Sequence, residues 1–208
     1  MRIVTLMENS ALPGLTAEHG LSRFLELNDH APIYVNQYAF GKHYNALDKY
    51  IGLDPELENS QRLLFVKENI SPIPGAKLTA CAGLPPTEPL EPFGLQMTHL
   101  GRKMPEDFRH EQYMILEEGE RRVVLSGCSH RGVVNIARWL RPGVLNGGFH
   151  FMKLSPDSPR LQAAARSLLA GDTVYYTGHC TGEAQYRVLK TFMGERLHPM
   201  PAGTILEL

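Results

Sequence analysis

The sequence predicts a layered α/β fold, and three observations carry that reading. A β-branched apolar run, Val123-Val124-Leu125, breaks on the small residues Ser126-Gly127-Cys128-Ser129, reaches His130, and passes through Gly132 into a second apolar run. Gly143-Val144-Leu145 then leads to Asn146-Gly147-Gly148-Phe149-His150. Thr173-Val174-Tyr175-Tyr176 leads to Thr177-Gly178-His179-Cys180-Thr181-Gly182. Each is a short strand-like run that ends in glycine and histidine. Strand ends of this kind are where α/β proteins place their chemistry, because glycine lets backbone approach a ligand closely.

Taken in order, Arg2 to Met7 reads as a first strand rather than a leader peptide, having one basic residue and a broken apolar run. Glu8 to Ser10 and Pro13-Gly14 form a loop, and Leu15 to Ser22 starts a second strand. Arg23 to Leu27 has helical spacing, ended by Asn28, Asp29 and Pro32. Ile33 to Val35 is a short strand, and Ala39 to Tyr50 a loop or short helix. Leu63 to Val66 and Ala76 to Ala82 are strands around a turn at Ser71 to Gly75. Residues 83–108, rich in proline and acids, form a long loop or insert of the kind that covers a site. Gln112 to Glu117 and Arg122 to Leu125 are strands around Glu118-Gly119-Glu120. Helices are predicted over Val133 to Leu140, stopped by Pro142-Gly143, over Ser158 to Ala170, and over Glu183 to Met193. The second of these has Ser158 and Pro159 at its start and Gly171 as its stop. Thr204 to Leu206 closes the chain as a strand.

The 208 residues suffice for a single domain, 1–208, with a real core. A net charge of −1 gives no case for a nucleic-acid or anionic-membrane partner. No apolar run approaches a membrane span. Three cysteines without paired spacing fit a reducing, cytoplasmic setting better than a disulfide framework.

The stretches SGCSHRGVVNIAR, GGFHF and YTGHCTGEAQYRVLKTFMGERLHPMPAGTILEL resemble the metallo-β-lactamase superfamily. The resemblance is to the branch related to methanopterin biosynthesis, the ribofuranosyl-aminobenzene 5'-phosphate synthase or dihydropteroate-synthase-like proteins. Glu8-Asn9, LTAEHGLS and RFLELNDHAPIYVNQYAF extend it towards the amino end. It implies an αββα sandwich with metal at the sheet edges. It also implies a metal-dependent hydrolase whose metal-bound water attacks a small, phosphorylated or pterin-related substrate. Carried over residue by residue, His130 and His179 become metal ligands, with zinc first and iron or manganese as alternatives. His150, His110, Glu111, Asn9 and His19 become residues that line the site or touch substrate.

The superfamily's His-x-His-x-Asp-His motif is absent. Ser22 runs straight into Arg23, so part of the N-terminal half, on the order of forty residues by ordinary element lengths, is missing at that join. Two other readings therefore stand beside the hydrolase. One is a catalytically degenerate binding or structural module, which could pair with a second copy as a homo-oligomer. The other is a transferase like the synthase of that branch. His30, His43, His99 and His198 read as surface residues, and Trp139 as core.

Overall fold

The computed structural model describes residues 2–4, 13 and 30–207. The predicted second strand, the helix at Arg23 to Leu27, the join after Ser22, Asn9 and His19 all fall outside these. The strands are β1 (Arg2–Val4), β2 (Ile33–Asn36), β3 (Lys42–Tyr44), β4 (Leu63–Val66), β5 (Asn69–Ile73), β6 (Ala76–Thr79) and β7 (Gln96–His99). They continue as β8 (Arg102–Pro105), β9 (Tyr113–Glu118), β10 (Arg121–Leu125), β11 (Val144–Asn146), β12 (Val174–Thr177), β13 (Leu197–Pro199) and β14 (Ile205–Glu207). The α-helices are α1 (Val133–Leu140), α2 (Pro159–Leu168) and α3 (Glu183–Met193).

One seven-stranded sheet, ordered β13-β12-β11-β10-β9-β6-β5, dominates. Strands β10 to β13 run parallel, as β-helix-β connections require, whereas β9, β6 and β5 add on antiparallel. The register aligns Leu125, Asn146 and Tyr176 across three neighbouring strands, so their following loops emerge side by side. Two pairs, β1-β14 and β2-β4, and a three-stranded sheet β3-β7-β8 complete the described strands.

The core lies between the large sheet and the helices. Val124, Leu145 and Tyr175 from the sheet meet Ile136, Leu161 and Leu189, one from each helix, and all are almost completely buried. These side chains sit on the helix faces that the 3.6-residue spacing predicts. Helix α2 opens on Ser158, whose Oγ accepts from the Arg160 N–H, with Pro159 in the first turn. Among the described residues no helix is long and apolar enough to cross a membrane.

The first half departs from the sequence reading. Residues taken as the turn before Gly75 form β5, and β4 leaves the large sheet to pair with β2. The segment 83–108 is not all loop. It ends in the hairpin β7-β8, which pairs with β3 from the segment read as loop or short helix.

The remainder, 84–93, is pinned to α1. Asn135, wholly buried, accepts at Oδ1 from the Thr87 and Glu88 backbone N–H groups and the Thr87 hydroxyl. Its Nδ2 donates to the Glu88 and Arg131 carbonyls. Arg131 adds bonds to the carbonyls of Cys81 and Leu84, and Trp139 donates to that of Pro85. Trp139 is therefore half-buried, a clamp as much as a core residue.

Candidate metal centre

Three loops leave the parallel strands together, and their backbones are laced. The Ser126 N–H donates to Asn146, the Gly147 N–H to Tyr176, and the Gly148 N–H to Gly127. Glycine is required at both positions. A Cβ at Gly147 would lie 2.8 Å from the Ser126 carbonyl oxygen, and one at Gly148 2.5 Å from the Cys180 sulfur. Thr177 and Thr181 share a hydroxyl hydrogen bond of 2.6 Å, and Thr181 Oγ1 accepts from the Phe149 N–H.

Ser129, His150 and His179 all take left-handed backbone conformations, with φ of 56°, 54° and 49°, as does Phe108 at 56°. Each such residue costs about 1–3 kcal/mol, and such strain gathers where a site dictates side-chain direction.

The loops bring His130 and His150 into contact, with ring centroids 3.9 Å apart. His130 stacks on the buried Phe108 ring at 4.8 Å. Glu111 fixes the turn beneath His130. Its carboxylate accepts from the His130 N–H at 2.6 Å, the Arg131 N–H at 3.1 Å and the Tyr113 hydroxyl at 2.7 Å. Asn36 in turn donates to the carbonyls of Arg109 and Glu111, tying this segment to β2.

A second group stands near Phe108. His43 Nδ1 and Glu106 Oε2 are 2.5 Å apart, and Glu106 Oε1 accepts from the Phe108 N–H. His110 lies against His43, ring centroids 4.3 Å apart, with Nδ1 3.7 Å from Glu106 Oε1. Ligand atoms of His43, Glu106 and His110 all fall within 4.8 Å of one another. Among the described residues this is the group of three that meets that spacing, and it does not include His130 or His179.

Burial shapes the electrostatics. It lowers the His110 pKa to about 4, with charge on His43 adding to the effect. It likewise takes His150 to about 4, helped by His130. Burial also opposes charge on His130, but the Cys128 sulfur and the Glu111 and Glu106 carboxylates outweigh it and raise that pKa. Burial pushes Glu106 up, yet the bonds from His43 and the Phe108 N–H bring it below the ordinary carboxylate value. The neighbouring Cys180 and His130 lower the Cys128 thiol to about 4, while Cys128 and burial raise Cys180, whose sulfur donates to the Cys128 carbonyl at 3.4 Å.

Several imidazole nitrogens here are buried and make no hydrogen bond to the protein: His43 Nε2, His110 Nδ1, His130 Nδ1 and both nitrogens of His150. A buried polar atom left so costs about 1–3 kcal/mol, and two of these nitrogens, on His43 and His110, belong to the group with Glu106 whose spacing fits a cation.

The sequence-derived site residues thus divide. His130, His150 and His110 come together around Phe108. His179 begins a 3-10 turn after β12, close enough to affect the charge on Cys128 and His150. Glu111 lies behind the histidines. His43 and Glu106 escaped the sequence reading. The sequence places His43 on the surface, yet it is only 7% exposed, because Glu106 and His110 close over it. The available sign was Glu106-x-x-x-His110, two metal-binding residue types four apart, the first inside the segment read as insert and the second just beyond it.

No family model matches the chain, and no curated protein does. Among solved structures it is similar to Tm1679, a metal-dependent hydrolase of the β-lactamase superfamily. That match has a TM-score of 0.80 at 21% identity, over 100% of this chain and 99% of that one. An isothiocyanate hydrolase from Delia radicum gut bacteria matches at a TM-score of 0.38 and 9% identity, over 74% and 62% of the two chains. The first likeness establishes a shared mixed α/β fold; the second is too distant to carry an argument.

Proposed function

We propose that the chain is a metal-dependent hydrolase of the metallo-β-lactamase type, acting on a small molecule. The observation that carries this is the set of buried imidazole nitrogens without a protein partner beside the His43, Glu106 and His110 group. The likeness of fold to a metal-dependent hydrolase supports it. Because the chain lacks a His-x-His-x-Asp-His segment, its ligands must come from elsewhere. His43, Glu106 and His110 are the first candidates, with His130 and His179 from the strand ends.

The imidazole-rich donor set suits zinc before iron or manganese. When bound, such a metal supplies a water acidified towards neutrality and a Lewis acid for the electrophile. The protein's own part is positioning. Glu106 orients the His43 ring, its Oε2 lying 2.5 Å from Nδ1. Glu111 orients the His130 turn, and Phe108 stacks on the His130 ring.

On this reading the chain is one domain lacking the superfamily segment at Ser22-Arg23, on the methanopterin-related branch, in a cytoplasmic setting. The transferase chemistry of that branch rests on the resemblance alone.

Metal content per chain, by elemental analysis after reconstitution with zinc, tests the proposal. One or two equivalents are expected in the wild type. A His43→Ala His110→Ala variant and a His130→Ala His179→Ala variant should each lose metal. A folded wild-type protein that binds none would sink the hydrolase and leave the degenerate binding module. Loss confined to the second variant would remove the His43, Glu106 and His110 group from the centre.

A further inference from the structure

Beside the histidines lies a cavity of about 370 Å³, within the size range of small-molecule sites. Ser129, His130 and His150 form one end of it. Most of the remaining wall is apolar and comes from four places: Val133 of α1, Phe149 and Phe151 after β11, Ala164 of α2, and Phe93 of the pinned segment. Val133 and Phe149 are almost fully buried.

The charged lining residues are of another kind. Glu88, Glu91 and Arg160 are half-exposed and already paired, Arg160 with Glu91 at 3.0 Å and Glu88 with Arg138 at 3.1 Å. Arg160 is the one Lys or Arg among the described lining residues, and its partner is an acid on the same wall. Away from His130, a phosphate lodged here would meet two carboxylates and no unpaired guanidinium or ammonium. Burying an unpaired charge is costly, whereas burying an alkyl or aryl group against these walls is favourable.

The walls are also fixed. Asn135 and Arg131 tie the segment that carries Glu88 to the helix that carries Val133, so the cavity is formed before any ligand arrives.

We infer that this cavity is the subsite for a neutral apolar group of the substrate, a short alkyl chain or a single aryl ring, held with its scissile bond against His130 and His150. The inference rests on the hydrolase reading for the bond that breaks, but not for the binding. It narrows the substrate class away from one that places a phosphate in this cavity.

The test joins two measurements on the zinc-reconstituted protein. Calorimetric titration with hexanamide and acetamide reads binding without catalysis. Hydrolysis of p-nitrophenyl esters from acetate to hexanoate, and of p-nitrophenyl phosphate, reads turnover. Hexanamide should bind more tightly than acetamide. The ester kcat/KM should climb roughly fourfold per methylene, the effect of burying one CH₂. Ala164→Phe should weaken hexanamide by about tenfold or more by filling the cavity. Ala163→Phe, at an exposed lining position that enlarges no core, should do the same and guards against a folding artefact.

Hexanamide binding without turnover of any ester would support the subsite while removing the hydrolase reading. Turnover with a flat ester series and no hexanamide binding would overturn the subsite and keep the hydrolase. Preference for the phosphate ester without hexanamide binding would also overturn it.

Discussion

Replacing Glu111 tests how the histidine turn is held. Its carboxylate receives two backbone N–H groups, from His130 and Arg131, and the Tyr113 hydroxyl. Hydrogen bonds to a charged acceptor are worth about 1.5–3 kcal/mol each, and an abandoned buried donor costs about 1–3 kcal/mol. Water reaching the partly buried positions, and the non-additivity of bonds that share one acceptor group, hold the sum for Glu111→Ala to roughly 3–5 kcal/mol. Glu111→Gln keeps one accepting oxygen and should lose only about 1–2 kcal/mol. Urea unfolding of the metal-free proteins, followed by far-UV circular dichroism at neutral pH, measures both losses. Working without metal separates the turn's own stability from that of any bound ion. The expected order is wild type, then Gln, then Ala, with an unchanged urea slope. A loss below about 1 kcal/mol for the Ala variant would mean the three bonds do not act as described.

Other outcomes follow from the same structure. Asn135→Ala removes the clamp on 84–93; it should cost about 2–4 kcal/mol and open that segment to limited proteolysis, which an unchanged digestion pattern would disprove. Burial raises the Tyr175 phenol above its ordinary pKa of 10.0, and Tyr113 is raised further by burial and by Glu111. In the unfolded chain these groups ionise at ordinary values, so their contribution is complete below about pH 10 and lost as pH climbs towards the folded-state values. Melting temperature should therefore fall steeply above that pH. Tyr175→Phe should show a shallower fall, after a loss of about 1 kcal/mol at neutral pH for the bond to the Leu168 carbonyl.

The carboxyl-terminal half was largely legible in the sequence. Val123 to Leu125 and Val174 to Tyr176 are β-branched and aromatic runs that fit a buried parallel strand. The helices after them carry apolar faces at 3.6-residue spacing, and Gly132 and Gly182 mark their starts. Strand β13 was missed because Leu197-His198-Pro199 has no pattern of its own; its pairing with β12 defines it. The first half resisted for the same reason. Lys42-His43-Tyr44, Gln96 to His99 and Arg102 to Pro105 are short and polar, and alternation cannot show in so few residues. They become strands because each is the other's partner. His43 could not be placed from its neighbours either. Glu106, 63 residues further on, makes it a buried histidine.

The parallel register of β10, β11 and β12 acts as a ruler for the site. Adjacent strands lie about 4.8 Å apart because backbone hydrogen bonding sets that distance, whatever the side chains. The loops carrying His130, His150 and His179 therefore inherit their separation from the peptide ladder and not from the fit of the core beneath. Side-chain truncations deep in that core should thin the population of folded molecules while leaving each surviving molecule's histidines at their native spacing. Wear on the scaffold would then appear as fewer working copies rather than poorer ones.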